Sequence, residues 1–304
     1  MKTYPYIAIL GPTASGKSDL AMKLAKKLNG EIVCCDSVQL YKDFDIGSNK
    51  PTKKEQEEVP HHMLDMFDAG DNFDAFQYAD KAKTVIRSIY QKDKLPIVVV
   101  GTGLYFRALE GTDFHQLPSD ETLREELNQQ SRTQLEQTLK SLDPERFQEI
   151  HEHDTYRLIR AVEIALLTKK TKKDWSKTEK STSFAPCYNI LLSPPRKDLH
   201  EKIALRVKKM LKSSWIEEVK GLLDKGYDPD SKALQSIGYR QIVLYLLKKL
   251  SEDELEEKIL FATRQYAKRQ ITWFKKTKAH YAITNSFDFN NLCEKIKDSI
   301  NACR

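Results

Sequence analysis

Cysteine is scarce in this chain: five residues (Cys34, Cys35, Cys187, Cys293, Cys303) among 304, an odd number with no C-x-x-C pair. The neighbours Cys34 and Cys35 sit poorly for bonding each other, so neither a disulfide frame nor a zinc site is supported. No run of eighteen apolar residues occurs, which excludes a membrane-spanning helix on hydropathy grounds. The first twenty residues lack the charged lead, long apolar stretch and small-residue cleavage site of a secretory signal. A cytoplasmic protein without membrane contact is expected. Strong charge of one sign is also missing: 50 basic against 44 acidic residues leave a net +6, too little by itself to argue for nucleic acid. There is no internal repeat.

Hydrophobic residues make up 40% of the chain, enough for one large core or a core with an appendage. Tyr6 to Leu10 is a short apolar run ending at a glycine, followed by Leu20, Ala21, Leu24, Ala25 and Leu28 at helical spacing. Glu31 to Cys35 reads as a second strand that delivers Asp36 and Ser37, and Ile97 to Val100 as a third that ends at Gly101-Thr102-Gly103. Continuously apolar strands alternating with helices predict a parallel sheet covered on both faces, with ligands beyond the carboxyl ends of its strands. Residues 112–196 differ in character. Helical pattern runs from Asp120 to Leu142 and from Asp154 to Leu167, the lysine-rich stretch Lys169 to Lys180 reads as a mobile loop, and no strand is expected before Tyr188 to Leu192. This division predicts a core of residues 1–111 and 197–304 and a helical insertion of 112–196. Further helices are expected over Asp198 to Leu211, Trp215 to Lys225, Gln241 to Leu250 and Ser251 to about Lys276.

The residues Gly11-Pro12-Thr13-Ala14-Ser15-Gly16-Lys17-Ser18 fit G-x-x-x-x-G-K-[ST] between a strand and a helix. Two glycines let backbone amides converge on phosphate oxygens, Lys17 adds a point charge, and Ser18 offers a hydroxyl to Mg²⁺. The motif does not separate a kinase from an ATPase or another user of diphosphates. Asp36 is either a general base beside the transferred group or an Asx cap on the next turn. Thr102 either contacts ligand or caps the helix that begins near Leu104. Between Thr263 and Tyr281 stand six basic residues (Arg264, Lys268, Arg269, Lys275, Lys276, Lys278) and no acidic one, a polyanion-binding element by charge. The adjacent His61 and His62 point apart in an extended chain and do not make a metal pair.

Six segments in order, Gly11–Ser18, Asp36–Tyr41, Asp45–Pro51, Gly101–Tyr105, Gly238–Gln241 and Thr263–Phe274, together resemble the bacterial tRNA dimethylallyltransferase (tRNA isopentenyltransferase) family. The resemblance spans nearly the whole chain. It implies an α/β fold with a P-loop NTPase-like parallel sheet core flanked by helices and an inserted helical domain contacting tRNA. It also implies transfer of the dimethylallyl group from dimethylallyl diphosphate to N6 of the adenosine immediately 3′ of the anticodon. The tRNAs concerned read codons that begin with U, and the product is N6-isopentenyladenosine. Gly11 to Ser18 then hold the leaving diphosphate, with Mg²⁺ on Ser18, and ATP is not required.

By the same resemblance Asp36 takes the N6 proton, Thr102 and Thr13 lie near substrate, and Arg206 neutralises the departing diphosphate. The tRNA anticodon stem-loop would meet Asp36, Ser37, Val38, Gln39, Thr102, Arg124, Tyr156, Arg157, Arg160, Gly238, Tyr239, Arg240, Arg264, Lys268, Arg269, Gln270 and Trp273. Trp273 either stacks on a base or belongs to the core. Two departures stand out: Val100 occupies the first of two glycine positions usual in the family, and Asp154-Thr155-Tyr156 replaces its usual asparagine and basic pair. Small-molecule kinases share the phosphate loop, and adenylate isopentenyltransferases share loop, aspartate and donor. The basic helix and the insertion favour tRNA over free nucleotide, and a complete loop with Asp36 disfavours a non-enzymatic RNA-binding module. A monomer is expected.

Overall fold

The computed structural model describes residues 5–111, 117–176, 184–185 and 187–303. Six parallel strands form one sheet: β1 (Tyr6–Leu10), β2 (Gly30–Cys35), β3 (His61–His62), β4 (Leu95–Val100), β5 (Cys187–Leu192) and β6 (Tyr281–Ile283), in the order β3-β2-β4-β1-β5-β6. All residues of β1 and β2 are buried, as the unbroken apolar runs require when helices cover both faces. Register aligns Ile7 with Ile97 on one side of β1 and Ile9 with Ile190 on the other. The strand carboxyl ends of β1, β2 and β4 therefore deliver Gly11, Asp36 and Gly101 to the same edge.

Helix Lys17–Leu28 buries Leu20, Ala21, Leu24 and Ala25. Helix Ala75–Gln91 buries Tyr78, Ala79, Ala82, Ile86 and Ile89 and starts at an Asp74 capping box closed by Gln77. A second apolar cluster joins helices Arg196–Lys212, Trp215–Asp224, Tyr239–Leu246 and Glu252–Phe274 to Tyr41 and Phe44 of the segment after β2. This cluster brings the chain's last third to the strand ends.

The chain divides into two compact units, Met1–Glu110 with Phe184–Arg304, and Gly111–Ser183. The smaller unit has its own core of Leu127, Leu135, Leu139, Leu158, Ile159 and Val162. Truncating fully buried Leu139 or Leu158 to alanine would cost about 2–5 kcal/mol. The expected insertion of 112–196 is too long at its end: residues 187–192 are strand β5, hydrogen-bonded to β1 inside the sheet. The apolar run from Tyr188 to Leu192 reads as a strand on its own, but its pairing with a strand some 180 positions earlier does not show in sequence. The expected helical run from Asp120 to Leu142 is two helices, Glu121–Asn128 and Arg132–Leu142, because Ser131 and Gln134 form a capping box that starts the second. Part of the lysine-rich stretch is a short helix, Lys172–Ser176, while residues 177–180 lie outside the described residues. Helices Ala75–Gln91 and Phe289–Asn301 and strands β3 and β6 had not been expected from sequence.

Candidate active site

The phosphate loop is built as its residues require. Gly16 enters the helix in the left-handed region, φ 91°, and leaves the first-turn amides of Lys17–Leu28 without a side-chain cap. Lys17 Nζ folds back and donates to the carbonyls of Gly11 and Pro12, each at 2.8 Å. Burial of the ammonium, and then the Arg206 charge, lower its pKa to about 7, while Asp36 acts the other way. The Ser15 hydroxyl is buried without a hydrogen-bond partner, and Ser18 is exposed on the first helical turn. Thr13, Ala14, Ser15, Gly16, Lys17 and Ser18 line a cavity of about 400 Å³ together with Asp36, Gln39 and Arg206.

Asp36 leaves β2 with Oδ1 accepting the Val38 amide at 2.9 Å, so the Asx-turn reading is realised. Its other oxygen packs so closely on Gly101 that any side chain there would collide with it, leaving that oxygen the free acceptor. Thr102 Oγ1 accepts the Ser37 amide at 3.0 Å and donates to Ser37 Oγ at 3.2 Å, tying β4's end to the segment after β2. Val100 is fully buried in β4, so the family's missing glycine leaves the cavity wall to Val99 and Gly101.

Arg206 Nη1 donates to Thr13 Oγ1 at 3.2 Å, its guanidinium lowered in pKa by burial and raised by Asp36. Among the described residues neither Lys17 nor Arg206 has a carboxylate within salt-bridge distance. Two cations thus face a cavity with Asp36 as their nearest charge partner, an arrangement that favours a polyanion. A second cavity, about 320 Å³, shares Thr13, Ala14, Asp36, Ser48, Arg206 and Tyr266 with the first and extends to Trp215, Tyr239 and Arg269. Asp36 stands where the two meet.

Three residues expected to face tRNA are buried. Gln270 is buried, accepting the Thr13 amide at 2.7 Å and donating to the Gly101 carbonyl at 2.7 Å, so it clamps the phosphate loop to the end of β4. Tyr239 is fully buried and donates to Glu218 Oε1 at 2.6 Å. Both lie on helical faces that read as polar from sequence but turn inward when the helices pack. Gly238 is likewise buried, against Trp215. Arg240, Arg264, Lys268 and Arg269 are exposed, while Ala267 and Phe274 are buried on the opposite stripe of the Glu252–Phe274 helix. Trp273 is 36% exposed and lies against Gly103, so neither extreme describes it. Ser37, Val38 and Gln39 are half-buried beside Asp36.

In the smaller unit, Arg124 pairs with Glu163 at 3.0 Å and Arg160 with the same carboxylate at 2.7 Å. Burial opposes it, yet these bonds hold Glu163 below the ordinary carboxylate range. Arg157 pairs with Asp154, and Tyr156 is 74% exposed. Sequence reasoning missed Glu163, Glu218 and Tyr266, whose hydroxyl donates to the Gly101 carbonyl at 3.0 Å. Glu218 and Tyr266 act through partners distant in the chain, and Glu163 through distant Arg124 as well as Arg160 one helical turn before it.

A parallel sheet with a phosphate loop at its edge, two half-buried cations without an ion pair and one carboxylate between two cavities define the site of a P-loop protein. A family model described as IPP transferase matches residues 39–277. The chain is 41% identical to the tRNA dimethylallyltransferase of Caldanaerobacter subterraneus subsp. tengcongensis, over 88% of each chain. It is 40% identical to that of Clostridioides difficile, over 99% of this chain and all of that one. Among solved structures, the full-length tRNA isopentenylpyrophosphate transferase of Bacillus halodurans is 33% identical with a TM-score of 0.72, covering 98% of this chain and 96% of that one. A eukaryotic dimethylallyltransferase described as acting on tRNA is 29% identical with a TM-score of 0.77, covering 90% and 70%. The chain belongs to the IPP transferase family.

Proposed function

We propose that this chain transfers the dimethylallyl group of dimethylallyl diphosphate to N6 of the adenosine immediately 3′ of the anticodon in tRNAs reading codons that begin with U. The position of Asp36 carries this reading: it adjoins a cation-lined phosphate cavity on one side and a cavity large enough for a base on the other. N6 attacks the allylic carbon as the carbon–oxygen bond to diphosphate breaks. The N6 proton passes to the free oxygen of Asp36, and the diphosphate leaves toward the loop amides, Lys17 and Arg206. Thr13, held by Gln270 and Arg206, fixes the loop against the acceptor side.

Ser18 fits a magnesium ion: its hydroxyl is exposed at the loop, and the described residues offer no cluster of three metal-binding side chains, so phosphate oxygens and water would complete the shell. Bound there, Mg²⁺ supplies charge neutralisation on the diphosphate. The adenosine must leave the stack of the anticodon loop to reach Asp36, and the exposed Arg264, Lys268 and Arg269 would hold the phosphates beside it. The protein works as a cytoplasmic monomer; no described helix is long and apolar enough to cross a membrane.

The test is incubation with Mg²⁺, labelled dimethylallyl diphosphate and either unmodified tRNA or AMP. Label on tRNA is expected, and label on AMP alone would overturn the reading.

A further inference from the structure

The segment after β2 reaches the cavities with no regular element from Asp45 to Lys50, yet it is tied down at three places. On one side, three successive amides converge on a single carboxylate of helix Trp215–Asp224. Asp45 and Ile46 donate to Glu218 Oε2 at 3.1 and 2.7 Å, and Gly47 donates to Oε1 at 3.4 Å. The Tyr239 hydroxyl donates to the same Oε1 at 2.6 Å, and burial, with the Glu218 charge beside it, raises that phenol's pKa so that it stays a donor. Gly47 itself lies so close to Trp215 and Tyr239 that a side chain there would collide with both. On the other side, Lys50, 3% exposed, donates to the Tyr41 carbonyl at 2.8 Å and to Asp45 and Asp65 at 2.6 and 2.5 Å. Gln39 Nε2 closes the turn on the carbonyls of Ser48 and Asn49, each at 3.1 Å.

What this clamp holds is cavity wall. Gly47 and Ser48 line the cavity on the Trp215 side, and Gln39, Ser48 and Asn49 line the phosphate side. We propose that Glu218 is a positioning residue for the nucleoside acceptor, fixing the backbone of residues 45–47 and with it the Gly47 wall of the cavity that Asp36 also lines. This rests on the transfer reading above. An amide in place of the carboxylate keeps one acceptor oxygen and turns an NH₂ toward N–H groups, so at least one backbone donor is left unpaired. Because Glu218 reaches neither phosphate loop nor Asp36, its loss should act on acceptor binding and leave the donor side alone.

The test compares Glu218→Gln, Gly47→Ala and Tyr239→Phe with the wild-type chain by steady-state kinetics and amide hydrogen exchange. Glu218→Gln should raise the KM for tRNA about tenfold, with kcat and the KM for dimethylallyl diphosphate within about twofold. Exchange at residues 45–47 should quicken about tenfold in the same variant. Gly47→Ala, which displaces the same backbone with the carboxylate intact, should reproduce the KM rise even if the Gln variant folds poorly. Tyr239→Phe removes one donor to Glu218 together with a hydroxyl that is hydrogen-bonded to the Gly47 and Ser48 backbone, so it should quicken exchange at residue 47 while leaving the Asp45 and Ile46 bonds to Glu218 in place. Faster exchange with unchanged KM would make Glu218 a scaffold residue only and overturn the proposal, as would unchanged exchange. Absence of transfer by the wild-type chain would instead sink the transfer reading and the acceptor role with it, while exchange would still report whether Glu218 holds the loop.

Discussion

Each unit holds a charge cluster, and the clusters are wired in opposite ways. In the smaller unit Glu163, fully buried, is answered by Arg124, Arg160 and the Asp120 amide, three donors for one carboxylate. At the phosphate loop Lys17 and Arg206 are sunk beside one another with no ion pair, their ammonium and guanidinium turned onto carbonyls and a hydroxyl. A satisfied cluster stabilises the unit that contains it. An unsatisfied one leaves the folded state at a cost that a bound polyanion offsets, which is how a binding site differs from a structural ion pair.

The largest effect that could break this contrast is at Asp36. Asp36→Asn should lower single-turnover transfer about 10²–10⁴-fold while tRNA binding persists, and near-normal transfer would remove it from the base role. Glu163→Gln should destabilise the chain by about 2–4 kcal/mol, below the full range for a buried pair because both arginines reach solvent, as read by urea unfolding. Lys17→Met should leave urea stability close to wild type, since it removes a half-buried cation that has no ion pair, even though diphosphate binding is lost.

A pH series sharpens the same contrast. Lys17 has its folded pKa lowered to about 7 from 10.5, so the unfolded chain binds more protons between those values and the Lys17 contribution to stability rises with pH across that window. Glu163, with a lowered folded pKa, contributes stability that is present above its unfolded value and lost as pH falls through the folded one. Diphosphate bound to Lys17 holds its proton, so diphosphate affinity should fall by up to about tenfold per pH unit above 7.5, by calorimetry, with the slope removed in Lys17→Arg. The smallest effect belongs to the exposed stripe: Arg264→Ala and Lys268→Ala should each reduce the salt slope of tRNA binding by about 1.

Much of this contrast was legible one-sidedly. The loop from Gly11 to Ser18 and the strand that presents Asp36 were readable because each is local, set by glycine spacing and an apolar run. The basic stripe of Arg264 and Lys268 was readable from helical period and charge. Gly238, Tyr239 and Gln270 were expected on an open tRNA face and are buried, because sequence does not distinguish their positions from exposed ones. The end of the insertion was misplaced for a similar reason: the strand at Tyr188 to Leu192 was readable, but only its pairing with β1 assigns it to the core sheet.

By itself, then, the sequence determined a parallel α/β core, a phosphate loop with Lys17 and Ser18, and Asp36 at a strand end. These depend on neighbours within a few residues, where backbone geometry and hydrophobic period act directly. Only the tertiary structure decided that Arg206 touches Thr13, that Gln270 ties Thr13 to Gly101, and that Glu218 gathers three amides of a loop more than 170 positions away. Those pairings are chosen by packing, which brings distant polar groups together and obliges each buried one to find a partner.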